Sequence, residues 1–259
     1  MMKPSFYAGA SGLIATQRVM DTVGNNLANI NTYGYKPEVA SFQTLLSDEM
    51  YVKAESDPLS GGGVRAVGQG MLFNQGSPRN TGNQLDFAIV GEGLFALEVD
   101  GERLYTRDGA FSWSVEGEDL YLTSKNGGYV LDRNGDHIAA TYITHTTGTT
   151  SADGTEHTNT TKEIDYAVLK DQIGVFEFDH PGGLESASNN MYRTNTLSGR
   201  PIRADTENYE LLQTYLENSA TSLADEMADL IAAQRAYQLC ARVVQTSDEI
   251  EQTVSGLRR

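Results

Sequence analysis

A chain of 259 residues, 39% hydrophobic and 21% charged, is long enough to bury a sizeable core and has the balance of a globular protein. Its 35 acidic side chains outnumber 19 basic ones, for a formal net charge of -16. Such a surface repels phosphate backbones and anionic lipid, so neither nucleic-acid binding nor membrane insertion is expected. The lone Cys240 excludes an intrachain disulfide and a cysteine metal cluster. No apolar run reaches the roughly 18 residues a membrane helix needs. Between Lys3 and the small-x-small site Ala8-Gly9-Ala10 only Phe6 and Tyr7 are large apolar residues, too short an apolar core for a cleaved signal peptide. A route out of the cytoplasm would therefore need no cleaved signal.

Residues 5–30 read as a helix, with Ser5 as its N-cap. Phe6, Leu13, Met20 and Leu27 recur every seven residues, and Gly9, Thr16, Val23 and Ile30 follow three later, which is a heptad pattern. The small residues Ala8–Gly12 leave room for close approach of another backbone. Asn29 to Gly34 ends the pattern, and Pro37 opposes its continuation. Val39, Phe42, Leu45 and Leu46 suggest a short second helix over 38–50, and Gly-rich 53–70 suggests a linker or extended arm.

From about 71 to 180 the period changes to two. Leu85-Phe87-Ile89, Phe95-Leu97-Val99 and Phe111-Trp113-Val115 alternate with polar or small residues, punctuated by Asp100-Gly101, Asp108-Gly109, Asn126-Gly127 and Asn134-Gly135. This predicts an antiparallel β domain built of hairpins. The Thr-rich stretch 144–162 suggests a long loop or a hairpin tip, and 181–210 looks mostly irregular. Residues 208–257 predict a second long helix. Its stripe runs through Leu216, Leu223, Met227, Leu230, Tyr237 and Val244, then continues on Val243, Ile250, Val254 and Leu257, shifted by one residue.

The expected fold is thus α+β, with N- and C-terminal long helices pairing as a coiled coil and a central antiparallel β domain. Residues 1–36 and 211–259 would form a terminal helical domain, 37–70 a short helix and arm, and 71–210 the β-rich domain. An apolar stripe cannot remain in water, so each terminal helix needs a partner. The other terminal helix is one, and a copy of the same chain is a second.

The chain offers little chemistry. His137, His145, His157 and His180 have no metal-ligand spacing. Asp132, Asn134 and Asp136 open like a calcium loop, but Ile143 stands where the closing glutamate belongs, and a turn at Asn134-Gly135 accounts for them better. Gly91-Glu92-Gly93 lacks the third glycine and following helix of a phosphate loop. Cys240 has no histidine on its helix and reads as a small buried apolar residue. No catalytic residue, cofactor site or metal site is assigned, and the chain reads as a non-enzyme.

The segment Asn25-Asn26-Leu27-Ala28-Asn29-Ile30-Asn31-Thr32-Tyr33-Gly34-Tyr35-Lys36 resembles the N-terminal signature of bacterial flagellar rod and hook proteins, and Ser11-Gly12-Leu13 fits the same pattern. Leu216-Glu217-Asn218-Ser219 and Glu226 through Gln238 are similar to the family's C-terminal helix. Thr81 through Ile89 and Tyr105-Thr106-Arg107-Asp108-Gly109 resemble the start of its β domain. Two features depart from the pattern: Cys240 stands where the family often has Asn, and the Thr-rich stretch 144–162 is unlike the family's motifs.

The resemblance implies a structural subunit of the flagellar basal-body rod, exported by the flagellar type III route, with copies of itself and other rod and hook proteins as partners. The helical ends would form an inner tube and the β domain an outer layer. The length suits a rod protein better than a hook protein, a distal type ahead of a proximal one. Phe6, Leu13, Met20, Val23, Leu27, Ile30, Leu216, Leu223, Met227, Leu230, Tyr237, Val244, Ile250 and Val254 would carry assembly. Asn25, Asn26, Ala28, Asn29, Thr32, Gly34, Tyr35 and Lys36 carry the signature. The competing class, a rod-associated hydrolase or adaptor on the same scaffold, needs a polar catalytic pair that no pattern supplies.

Overall fold

A computed structural model describes residues 4–45, 48–49, 59–60, 62–117, 119–150 and 156–257. The chain divides into two compact units. Unit 1 comprises Met1–Asn31, Lys36–Phe73 and Thr221–Arg259, and unit 2 comprises Thr32–Tyr35 and Asn74–Ala220. The class is α+β.

Unit 1 begins with the N-terminal helix Pro4–Ala28, which starts one residue ahead of the expected cap at Ser5. Proline suits a first helical position, where its missing N–H costs nothing. Beyond the helix, β1 (Glu38–Thr44) pairs antiparallel with β4 (Val64–Met71), with a bulge between Val39 and Ala40. Between them β2 (Asp48–Glu49) and β3 (Leu59–Ser60) pair over two residues. The helix expected over 38–50 is therefore replaced by a strand. Val39, Phe42, Leu45 and Leu46 keep a helical spacing, and what overrides it is the ladder that Val64–Met71 supplies. The same ladder places 64–70 of the expected arm in β4, while 46–47, 50–58 and 61 lie outside the described residues.

The C-terminal helix spans Leu223–Leu257, with Asp225 and Glu226 in its first turn. It begins fifteen residues later than the stripe predicted from 208. Tyr209–Gln213 (β18) and Tyr215–Glu217 (β19) are strands of unit 2. Thr214 between them has φ 69°, a left-handed value that no helix continues through. Leu216 accordingly leaves the helical stripe and is buried in a strand.

Unit 2 is all antiparallel in its pairings. The main sheet has the order β15 (Glu185–Ser186), β16 (Met191–Arg193), β8 (Glu102–Thr106), β7 (Leu94–Val99), β11 (Tyr129–Val130), β10 (Asp119–Ser124), β9 (Phe111–Glu116). β14 (Val175–Glu177) adds to β7 and to β17 (Ile202–Arg203). β18 pairs with β6 (Phe87–Gly91), and β19 with β5 (Pro78–Asn80). The core gathers Phe87, Phe95, Leu97, Phe111, Leu122 and Ile173, with the Phe95 and Phe111 rings edge-to-face at 5.2 Å. A short helix, Tyr166–Gln172, is capped by Asp165, whose carboxylate accepts from the Ala167 N–H, and it buries Leu169.

The hairpin signals hold at Asp100-Gly101, where φ values of 52° and 79° join β7 to β8, and at Asn126-Gly127 between β10 and β11. Asp108-Gly109 is not a hairpin turn. Gly109 passes so close to β6 that a Cβ there would meet the Phe87 carbonyl oxygen at 1.8 Å. Asp132 Oδ1 accepts from the N–H groups of Asn134, Gly135 and Asp136, so the aspartate serves the turn rather than a cation. Among the described residues no cluster of three or more His, Cys, Asp or Glu is placed to hold a metal. The Thr-rich stretch forms a hairpin, β12 (Tyr142–Thr150) with β13 (Glu156–Ile164), and 151–155 lie outside the described residues.

Candidate assembly surface

In unit 1 the two terminal helices lie side by side and antiparallel. The Ser5 and Ser247 hydroxyls are 3.4 Å apart at one end, and Asn26 Nδ2 donates to Glu226 Oε1 at 2.9 Å at the other. Glycine makes the contact close. A Cβ on Gly9 would meet a Val244 methyl at 2.9 Å, and one on Gly12 would meet Cys240 Sγ at 2.8 Å. The buried face of the N-terminal helix is Gly9, Gly12, Ala15, Thr16, Val23 and Asn26. Of the heptad columns, the small one is buried with Val23, while Phe6, Leu13, Met20, Leu27 and Ile30 are half-buried along its margin. The cause is geometric: small residues bring the helix axes together and push larger ones to the flanks.

The signature is explained residue by residue. Asn26 is buried. Its Nδ2 donates to the Glu38 carbonyl at 2.9 Å and its Oδ1 accepts from the Glu38 N–H at 3.0 Å. With its bond to Glu226, one amide ties both helices and β1. Asn29 Nδ2 donates to the Asn25 carbonyl at 3.0 Å and its N–H to the same oxygen at 3.2 Å, closing the helix, while Ala28 is exposed. In unit 2, the Thr32 carbonyl accepts from the Tyr35 N–H, and the Gly34 N–H donates to the Glu217 carbonyl at 2.8 Å. Gly34 has φ 65°, and a Cβ there would lie 2.5 Å from the Arg107 carbonyl carbon. Both conditions demand glycine. Tyr35 and Lys36 are buried.

The other motifs converge inside unit 2. Arg107 is buried and donates to Glu217 Oε2 at 2.5 Å, to the Ile89 and Gly91 carbonyls at 2.9 and 2.7 Å, and to the Gly93 carbonyl. Glu217 Oε1 accepts from the Gly76 N–H at 2.7 Å. Thr81 and Asn83 donate to the two oxygens of buried Asp86 at 2.6 and 3.0 Å. Burial pushes the Asp108 carboxyl above its usual range, against a hydrogen bond from the Ala110 N–H. Glu226 is raised too, first by burial and then by Asp229 and Asp225, with the Asn26 hydrogen bond opposing, and its buried Oε2 has no hydrogen-bond partner among the described residues.

On the C-terminal helix, Leu230 and Val244 are half-buried among Ala233, Ala236, Cys240 and Ser247. Leu223, Met227, Tyr237, Ile250 and Val254 are exposed. Ile231 and Leu239 are exposed as well and were absent from the expected stripe, which alternated steps of three and four. A step of four throughout would have found them.

Two family models match the chain at its ends: flagella basal body rod protein over residues 6–36, and flagellar basal body rod FlgEFG protein C-terminal over residues 212–257. The flagellar basal-body rod protein FlgG of Agrobacterium fabrum is 33% identical, covering 95% of this chain and 96% of its own length. This chain belongs to the flagellar basal-body rod protein family. FlgG of Borreliella burgdorferi is 31% identical with both chains covered in full, and FlgG of Bacillus subtilis is 30% identical on the same terms. The flagellar hook-basal body complex protein FlhP of Bacillus subtilis is 29% identical over 99% of this chain. The two matched segments contain the Asn26–Glu226 tie, so the family models meet at the helix pair described above.

Proposed function

We propose that the chain is a structural subunit of the flagellar basal-body rod that polymerises through its terminal helices into a torque-bearing shaft. The exposed apolar side chains of the C-terminal helix carry the reading. A helix that buries fully only Ala233 and Ser247 and leaves Leu223, Met227, Ile231, Ile250 and Val254 exposed is built for another protein surface. Phe6, Leu13, Met20, Leu27 and Ile30 border the seam and would be covered in the assembly, drawing the helix pair into a coiled-coil wall. Its partners are copies of itself and neighbouring rod and hook proteins. Its location is the flagellar basal body, reached through the flagellar export apparatus.

The test is polymerisation followed by light scattering and electron microscopy. The full chain should stay monomeric when dilute and form filaments when concentrated. Met227→Asp should block filaments while circular dichroism keeps the native helix content, because an unpaired charge would enter a dry contact. Filaments of unchanged yield from that variant would refute the proposal.

A further inference from the structure

Two turns of unit 2 carry the dipeptide Asn-Gly, at Asn126-Gly127 between β10 and β11 and at Asn134-Gly135 after β11. Asparagine before glycine is prone to lose its side-chain amide, because no Cβ shields the glycine nitrogen from the asparagine Cγ. The two turns hold the pair differently. Asn134 Oδ1 accepts from Arg203 Nη2 at 3.0 Å, and its Nδ2 donates to Asp132 Oδ2 at 3.2 Å. The Gly135 N–H donates to Asp132 Oδ1 at 2.7 Å. The Arg103 guanidinium also lies against Gly135, where a Cβ would meet Nη2 at 2.6 Å. The Asn126 side chain has one tie. Its Nδ2 donates to the Asn189 carbonyl at 3.0 Å, and its Oδ1 has no partner among the described residues. Asn126 and Gly127 are both exposed, and a Cβ on Gly127 would meet nothing within 4 Å.

We propose that Asn126 is a site of spontaneous deamidation, and that Asn134, with the same dipeptide, is protected by its turn. The Gly127 nitrogen attacks the Asn126 Cγ, the new C–N bond closes a succinimide ring, and the Cγ–Nδ2 bond breaks. The side-chain amide leaves as ammonia, taking the proton that Gly127 gives up. Water then opens the ring. Attack at Cγ yields aspartate, and attack at the Asn126 backbone carbonyl yields isoaspartate, in which the chain runs through the side chain. Aspartate at 126 replaces an N–H donor with a carboxylate facing the Asn189 carbonyl, and isoaspartate removes the donor as well. Asn189 and Asn190 are both left-handed, at φ 60° and 57°, and Asn190 Nδ2 donates to the Tyr33 carbonyl at 2.9 Å. Losing the Asn126 bond therefore loosens the strained turn that holds Tyr33 of the signature segment.

The experiment incubates the full chain in mildly alkaline buffer, native and in concentrated urea, and reads each site by peptide mass spectrometry. In the native chain Asn126 should convert about tenfold faster than Asn134, where further hydrogen bonds must break first. In urea the two rates should converge, because only the shared dipeptide remains. Arg203→Ala should speed Asn134 and leave Asn126 unchanged. Asn126→Asp should lower the melting temperature of unit 2 by about 2–4 °C, followed by Trp113 fluorescence. A native Asn134 that reacts as fast as Asn126, a preference for Asn126 that persists undiminished in urea, or a native chain that converts at neither site would overturn the proposal. An unchanged melting temperature for Asn126→Asp would overturn the loosening of the Asn189–Asn190 turn.

Discussion

Arg107 and Glu217 form a buried ion pair at 2.5 Å that binds two motifs 110 residues apart in the chain. The guanidinium also closes the carbonyls of Ile89, Gly91 and Gly93, and the other carboxylate oxygen holds the Gly76 N–H. Each member satisfies groups that would otherwise be buried unpaired.

Removing one partner should accordingly cost far more than removing both. Glu217→Gln, which strands the guanidinium, is expected to lower the stability of unit 2 by about 3–5 kcal/mol. Arg107→Met together with Glu217→Gln should recover part of that loss. Urea denaturation followed by the fluorescence of Trp113, which packs against the core, measures both.

Gly34→Ala should destabilise unit 2 by at least the ~1–3 kcal/mol of a left-handed non-glycine backbone, with the clash against Arg107 added. Asn at 34 tolerates the backbone angle and not the contact, so Gly34→Asn should be nearly as harmful. A Gly34→Asn protein of wild-type melting temperature would show that the close approach does not matter.

At the helix pair, Gly12→Ala sets a Cβ 2.8 Å from Cys240 Sγ. The clash should cost about 1–3 kcal/mol, partly offset by the ~1 kcal/mol that alanine gains over glycine in a helix. With Cys240→Gly the clash disappears and the helical gain remains. A double-mutant cycle should therefore give a coupling of about 1–2 kcal/mol, and strict additivity would deny the contact.

Glu226 has its folded pKa raised above the ordinary 4.5. The folded state thus holds this proton more tightly than the unfolded chain, and the group favours folding below the ordinary value. That advantage is lost as pH rises through the folded value. Glu226→Gln keeps an oxygen for Asn26 and removes the charge, so it should raise the melting temperature of unit 1 at neutral pH. The difference should shrink toward zero below about pH 4. Equal melting temperatures at neutral pH would show that the unpartnered Oε2 costs nothing.

Much of this was legible in the residues. The helix at the N-terminus, the alternation from 85 to 99 and the turns at Asp100-Gly101, Asn126-Gly127 and Asn134-Gly135 each state a local preference that the fold keeps. The departures share one cause. Glu38–Thr44 and Tyr209–Glu217 carry helix-like spacings, and the choice is made by ladders to Val64–Met71, Phe87–Gly91 and Pro78–Asn80, 20 or more residues away in sequence. Nothing within a short window records that. The same holds at the surface: Leu216, whose spacing suits the assembly stripe, is buried in a strand, whereas Ile231 and Leu239 lie off the three-four stripe and are exposed. The signature stood out as a pattern, but Gly34 acquires its reason only when Arg107 is laid against it.

The bond between Asn26 and Glu226 spans 200 residues of chain. Unit 1 is assembled from the two extremes of the polypeptide, so its contact order is high and its loop-closure entropy large. Any fragment that stops before residue 223 leaves the Gly9–Gly12 face of the N-terminal helix bare. The helix pair therefore cannot form until the C-terminal helix is present, and neither can the surface proposed for assembly.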